Sequence, residues 1–167
     1  MILKYLSKNF FINLSAIFLI FFLDRVSKIY VINLDEKQYS HELFASRFLN
    51  IDLIWNEGIA FGFFSFNQVN LYNFLTIFIV IIISIIFIMM IKNTGFKMYA
   101  LLIIFAGALG NLYDRIFFRA VPDFIDFHIG EFHWFIFNVA DVFITIGVFF
   151  MIFLELIGNN NKNHEKI

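Results

Sequence analysis

Hydrophobic residues in this chain gather into four long runs separated by polar stretches. The first extends from about Phe10 to Ile32 and is interrupted by Asp24, Arg25 and Lys28. The second, Leu71 to Ile91, carries no charge. The third runs from about Met98 to Phe118 with Asp114 and Arg115 near its end, and the fourth, about Phe135 to Ile157, contains Asp141 and ends near Glu155. Each approaches the ~20 residues that carry a helix across a bilayer, and helices satisfy the backbone groups that lipid leaves without partners. The pattern predicts a membrane protein of four transmembrane helices, forming a single domain over residues 1–167.

The polar stretches between the runs are unequal. Residues 33–70 are too long for a bare connector. Within them Phe48 to Trp55 partly alternates apolar and polar residues and predicts a strand. The glycine-punctuated, apolar segment Gly58 to Phe64 predicts a short helix or loop lying in the membrane interface. Gly158 to Ile167 is rich in Asn and Lys and predicts a disordered tail.

Lys4, Lys8, Lys92, Lys97, Lys162 and Lys166 all fall on one side of a four-span bundle. Positive residues favour the cytoplasm, so both termini are expected there. The opposite side receives Asp35, Glu36, Glu42, Asp52, Glu57, Asp123, Asp126 and Glu131. Lys4 and Lys8 also precede the first run as they would in a cleavable leader. No small-x-small cleavage site follows, and the run continues into Asp24 and Lys28, so it reads as a retained span.

Composition agrees with insertion in a membrane. The chain of 167 residues is 61% hydrophobic and 15% charged, against about half and a quarter in soluble domains. A net charge of −1 and the lack of a basic stripe argue against nucleic acid as a partner. With no cysteine, disulfides, zinc–thiolate sites and cysteine nucleophiles are excluded. His128 and His133 stand near acids but lack a His-Glu-x-x-His spacing, so no metal or other cofactor is expected. No Ser or Thr has a nucleophile-elbow setting.

The candidate chemistry lies in the charges within and beside the runs. A carboxylate in hydrocarbon is costly and marks a functional site by default. Asp141 is such a group, and Asn138 sits three residues before it on the same helical face. Ala140, beside Asp141, leaves room for a substrate backbone. Asp123 or Asp126 supplies a second acid on the same side, and two carboxylates brought together can share a proton and activate water. Pro122 fixes the backbone before Asp123, a mild preference for that residue. Asn111 and Arg115 are i,i+4 and can face one polar cavity, with Asp114 turned toward a cation on another helix. Asp24 and Lys28, also i,i+4, read as an ion pair. Small residues at Gly107, Ala108 and Gly110 admit a close helix neighbour.

Together these residues resemble lipoprotein signal peptidase, also called signal peptidase II. The likeness rests on Asn56-Glu57-Gly58-Ile59-Ala60-Phe61-Gly62, Gly110-Asn111-Leu112-Tyr113-Asp114-Arg115, Val121-Pro122-Asp123-Phe124-Ile125-Asp126-Phe127 and Phe137-Asn138-Val139-Ala140-Asp141. The pair Asp24 and Lys28 also looks like the family's. The resemblance implies an aspartic peptidase of the bacterial cytoplasmic membrane with Asp123 and Asp141 as its catalytic dyad. It implies Asn56, Gly58, Asn111, Arg115, Asn138 and Ala140 as residues lining the site. It also implies a small extracytoplasmic β-cradle and a mobile helix in the loop before span two. The implied substrate is a diacylglyceryl-modified prolipoprotein, cleaved before its lipidated cysteine, and the implied inhibitor is globomycin. A monomer among membrane lipids is expected. Pro122 departs from the small aliphatic residue expected there. The alternative reading is a small proton- or ion-coupled transporter, which would place its acids near mid-membrane with access from both sides.

Overall fold

The computed structural model describes residues 8–37, 43–58 and 68–164. Four helices and four short strands follow one another in the order α1 (Lys8–Lys37), β1 (Phe44–Ala45), β2 (Leu49–Asn56), α2 (Gln68–Lys92), α3 (Gly95–Phe117), β3 (Val121–Ile129), β4 (Phe132–His133) and α4 (Val139–His164). All four helices are long and apolar enough to cross a membrane. Of Gly58 to Phe64, the segment expected to form a short interfacial helix or loop, all but Gly58 lies outside the described residues.

α3 is the centre of the bundle and packs on α1, α2 and α4. Its buried residues include Ala100, Ala106, Gly107 and Gly110. Lipid gives helices no hydrophobic reason to associate, so close backbone approach through small residues must supply the contact. A Cβ on Gly107 would stand 2.7 Å from the Ala140 carbonyl oxygen, and one on Gly147 would stand 2.5 Å from Ile104 Cγ1. Large residues such as Phe18, Phe74, Phe149 and Phe153 face outward, where an acyl environment accepts them. In α1 the buried residues Ile20, Asp24, Lys28 and Val31 form one stripe at helical spacing.

The strands form one antiparallel sheet in the order β1-β2-β3-β4. The alternation at Phe48 to Trp55 marks β2, whereas β3 and β4, half of the sheet, come from the stretch between the third and fourth apolar runs, for which no strand was expected. Val121 to Ile129 is apolar at most positions, so the alternation that marks a half-exposed strand is lost where β3 is buried. Pro122 sits opposite Trp55 at the start of β3, well away from β4, which pairs only with His128 and Ile129. A strand tolerates proline where one side has no ladder partner.

Two helix boundaries also differ from expectation. α4 begins at Val139 rather than near Phe135, because Phe137 is taken up by a bridge to Ile125 of β3. At the other end α4 continues to His164, so the segment from Gly158 expected to be disordered is helical over most of its length. Gly158 does not adopt the positive φ that would end the helix there. No proline follows to stop it.

Candidate active site

α4 meets the sheet at Asn138, the residue just before its first turn. The Asn138 amide oxygen accepts the Asp141 N–H at 3.1 Å, and Asp141 Oδ2 accepts the Asn138 N–H at 3.1 Å. This is a capping box written with Asn and Asp. Asn138 Nδ2 then donates to Asp123 Oδ1 at 2.6 Å. One fully buried residue therefore holds two carboxylates that are 18 positions apart in the chain.

Each carboxylate has one further amide donor. Asn111 Nδ2 of α3 donates to Asp141 Oδ1 at 2.7 Å, and Asn56 Nδ2 of β2 donates to Asp123 Oδ2 at 2.9 Å. A β-bulge places Asn56 correctly. Between the pairs Ile51↔Ile125 and Ile54↔Asp123, β2 advances three residues while β3 advances two. The extra residue flips the alternation of β2, so Asn56 rather than Trp55 shares a face with Asp123. The Asn56 amide oxygen accepts the Gly58 N–H at 2.7 Å, closing a turn at a glycine whose φ is +75°.

Burial pushes the Asp123 carboxyl above its ordinary range. The hydrogen bonds from Asn56 and Asn138 oppose that rise, the Asp141 charge adds to it, and the Lys28 charge lowers it.

Below this pair lies a charge cluster inside the bundle. Lys28 Nζ is 2.9 Å from Asp24 Oδ1 and 2.7 Å from Asp114 Oδ2, and it donates to Asn111 Oδ1 at 2.9 Å. Arg25 reaches Asp24 and Asp114 at 2.7 Å through Nη2. Asp24 Oδ1 also accepts the Ala140 N–H of α4 at 3.0 Å, satisfying an otherwise orphaned donor of that helix terminus. Two acids and two bases thus neutralise one another where an isolated charge would be prohibitive.

The clefts lined by the two acids differ in character. Asp141 lines one of about 410 Å3 with Phe127, Trp134, Phe137, Thr145 and Ile146. Asp123 lines another of about 370 Å3 with Trp55, Asn56, Glu57 and Ile136.

Residues 16–157 match the family model described as signal peptidase (SPase) II. The chain belongs to the signal peptidase II family. It is 52% identical to the lipoprotein signal peptidase of Pelagibacter ubique, over 95% of this chain and 96% of the relative. The lipoprotein signal peptidase of Anaplasma marginale is 38% identical over 89% of this chain and 86% of its own. A solved bacterial membrane enzyme structure superposes with a TM-score of 0.69 at 32% identity, covering 90% of both chains. A second does so with a TM-score of 0.67 at 34% identity, covering 86% of this chain and 92% of that one. The chain is thus a multi-pass membrane peptidase.

The structure brings Asp123, Asp141, Asn56, Asn111 and Asn138 of this signal peptidase II family member into one network. Asp126 points elsewhere, to His133. Asp24 and Lys28 form the expected pair, and Asp114 finds its cation on α1 as expected. Gly58 lies against the Arg115 guanidinium, since an added Cβ would be 2.8 Å from Nη1. Ala140, in the first turn of α4, is fully buried and packs against Gly107 and Gly110 of α3. Sequence reasoning missed Arg25 as the second cation of the cluster. Neighbours in sequence face apart on a helix, but Arg25 is long enough to reach back to Asp24, and its guanidinium lies 4.8 Å from the Tyr113 ring centroid. Tyr72, whose hydroxyl donates to the Arg115 carbonyl at 2.7 Å, was also missed.

Proposed function

We propose that the chain is an aspartic endopeptidase that cuts the signal peptide from lipid-modified prolipoproteins just before the modified cysteine, with Asp123 and Asp141 as its catalytic pair. The observation that carries this reading is Asn138, which hydrogen-bonds both acids. Asp24 and Asp114 also share donors, but these are the cations Lys28 and Arg25, which neutralise them.

One acid is ionised and the other protonated, because two nearby carboxylates in a low dielectric resist double ionisation. Their protons belong to the pair. The ionised member draws a proton from a water between them, and the protonated member hydrogen-bonds the scissile carbonyl. Water attacks the carbonyl carbon, a gem-diol forms, and a proton passes to the leaving cysteine amine as the C–N bond breaks. The apolar cleft at Asp141 suits acyl chains. The more polar cleft at Asp123 suits the extended peptide. Asn111, itself held by Lys28, orients Asp141, and Asn56 orients Asp123. Arg115 and Gly58 shape the rim beside α2.

The lysine distribution supports cytoplasmic termini, so the pair acts at the outer face of the bacterial cytoplasmic membrane. Globomycin is the inhibitor this reading implies, and a monomer suffices because one chain supplies both acids. A transporter is disfavoured by the one-sided placement of the polar cluster. It lies where Asp24 to Lys28 of α1 meet the last turns of α3 and the first turn of α4.

The test is cleavage of a diacylglyceryl-modified prolipoprotein by the purified chain in lipid. Turnover that is blocked by globomycin and lost in Asp141→Asn supports the reading; full turnover by Asp141→Asn refutes it.

A further inference from the structure

The β3–β4 hairpin carries a second set of ligating groups. Asp126 and His128 alternate to the face of β3 away from Asp123, and His133 stands opposite His128 in register. Gly130, with a φ of +61°, makes the tight turn that allows this pairing. Each of Asp126, His128 and His133 offers one ligand atom, and these atoms lie within 4.8 Å of one another. The two imidazole rings stack at 5.0 Å between centroids.

A hydrogen bond of 2.8 Å between His133 Nδ1 and Asp126 Oδ2 accounts for part of this arrangement. It leaves two groups unexplained. Asp126 is only 3% exposed, and its Oδ1 is buried with no hydrogen-bond partner among the described residues, as is His128 Nδ1. A buried carboxylate oxygen and a buried imidazole nitrogen without partners are costly unless something binds them.

We propose that Asp126, His128 and His133 form a binding site for a divalent transition metal, zinc being the ion it suits best. Two imidazoles and a carboxylate match the donor preference of zinc, with a fourth position left for water. Magnesium and calcium prefer all-oxygen sets. The histidine spacing fails a helical motif because the ligands come from paired strands, where the register and not an i,i+4 repeat sets their distance. A metal here fastens β3, the strand carrying Asp123, to β4. The inference does not depend on the peptidase reading.

The experiment uses the full chain in detergent, free of any histidine tag and stripped of metal by chelation. Zinc is titrated against a chromophoric indicator while thermal unfolding is followed. One zinc per chain is expected, with a rise in Tm that magnesium does not reproduce. His128→Ala and His133→Ala are each expected to weaken binding at least about tenfold. The His133 side chain is 51% exposed, so its removal leaves the fold intact. Replacing His41 and His164, the other two histidines, is expected to change nothing. The assignment falls if no zinc binds, if either hairpin variant binds as tightly as the parent, or if the His41/His164 variant loses it.

Discussion

Asn138 and Asp141 cap one another across the first turn of α4, each accepting the other's backbone N–H at 3.1 Å. The interaction that starts the helix therefore also fixes the carboxylate assigned to catalysis. Because Asn138 Nδ2 is donated to Asp123, helix initiation and the meeting of the two acids depend on one side chain.

Replacing Asn138 separates these roles. Asn138→Ala removes the cap and is expected to cost about 1 kcal/mol of stability. Asn138→Ser restores a capping oxygen but is too short to reach Asp123. Ser is expected to recover most of the stability while both variants lose about ten- to a hundredfold in turnover, as removal of a hydrogen bond to a charged group implies. Thermal unfolding and cleavage rates measured side by side check this. Recovery of activity by Ser would mean that the bridge to Asp123 is dispensable.

Asp123→Asn is expected to lower turnover by at least about a hundredfold. Asp126→Asn is expected to retain more activity, since Asp126 faces His133 and not the shared amide network. A reversed ranking in the prolipoprotein assay would move the catalytic role to Asp126.

The spans and the acids were legible because each reports an extreme cost. Long uncharged runs have one stable setting in lipid, and Asp141 in such a run demands an explanation. The strand carrying Asp123 was not legible. Val121, Phe124 and Asp126 are all buried, so β3 lacks the alternation that exposed β2. The bulge that turns Asn56 toward Asp123 depends on pairing between segments some 70 residues apart, which no local pattern encodes. Motif resemblance singled out Asn56, and the geometry supplies the reason.

Lys28 is buried among Asp24, Asp114 and Asn111. Lys28→Met leaves the cluster with an uncompensated negative charge, which typically costs about 3–5 kcal/mol. Lys28→Met with Asp114→Leu removes one charge of each sign while Arg25 still holds Asp24. The double variant is expected to be more stable than Lys28→Met alone, as unfolding in detergent would show. Equal or greater loss in the double variant would contradict charge balance as the role of the cluster.

Because burial raises the Asp123 pKa above 3.8, the folded protein holds that proton more tightly than the unfolded chain does. Its contribution to stability is complete below the unfolded value and is lost as pH rises through the folded one. Asp123→Asn carries no such proton, so its stability is expected to lack this decline. In the parent enzyme the loss of the pair's remaining proton is expected to set the alkaline limb of kcat/KM. Unfolding curves of both proteins from about pH 4 to about pH 8 test the linkage. Parallel curves would show that Asp123 binds its proton equally in both states.

Gly110 tests whether helix packing sets the site. A Cβ there would lie 2.5 Å from Asp24 Oδ2 and 3.4 Å from Ala140 Cβ. Asp24 cannot retreat cheaply, because Arg25, Lys28 and the Ala140 N–H all hold it. Gly110→Ala must push α1 or α4 away from α3, at a typical cost of about 1–3 kcal/mol. Either movement pulls Asp24 from the Ala140 N–H, one residue before Asp141, so turnover is expected to fall together with stability. Gly158→Ala meets nothing within 4 Å and serves as the control. If Gly110→Ala were as active and stable as Gly158→Ala, the close approach of α1, α3 and α4 could not be what positions Asp141.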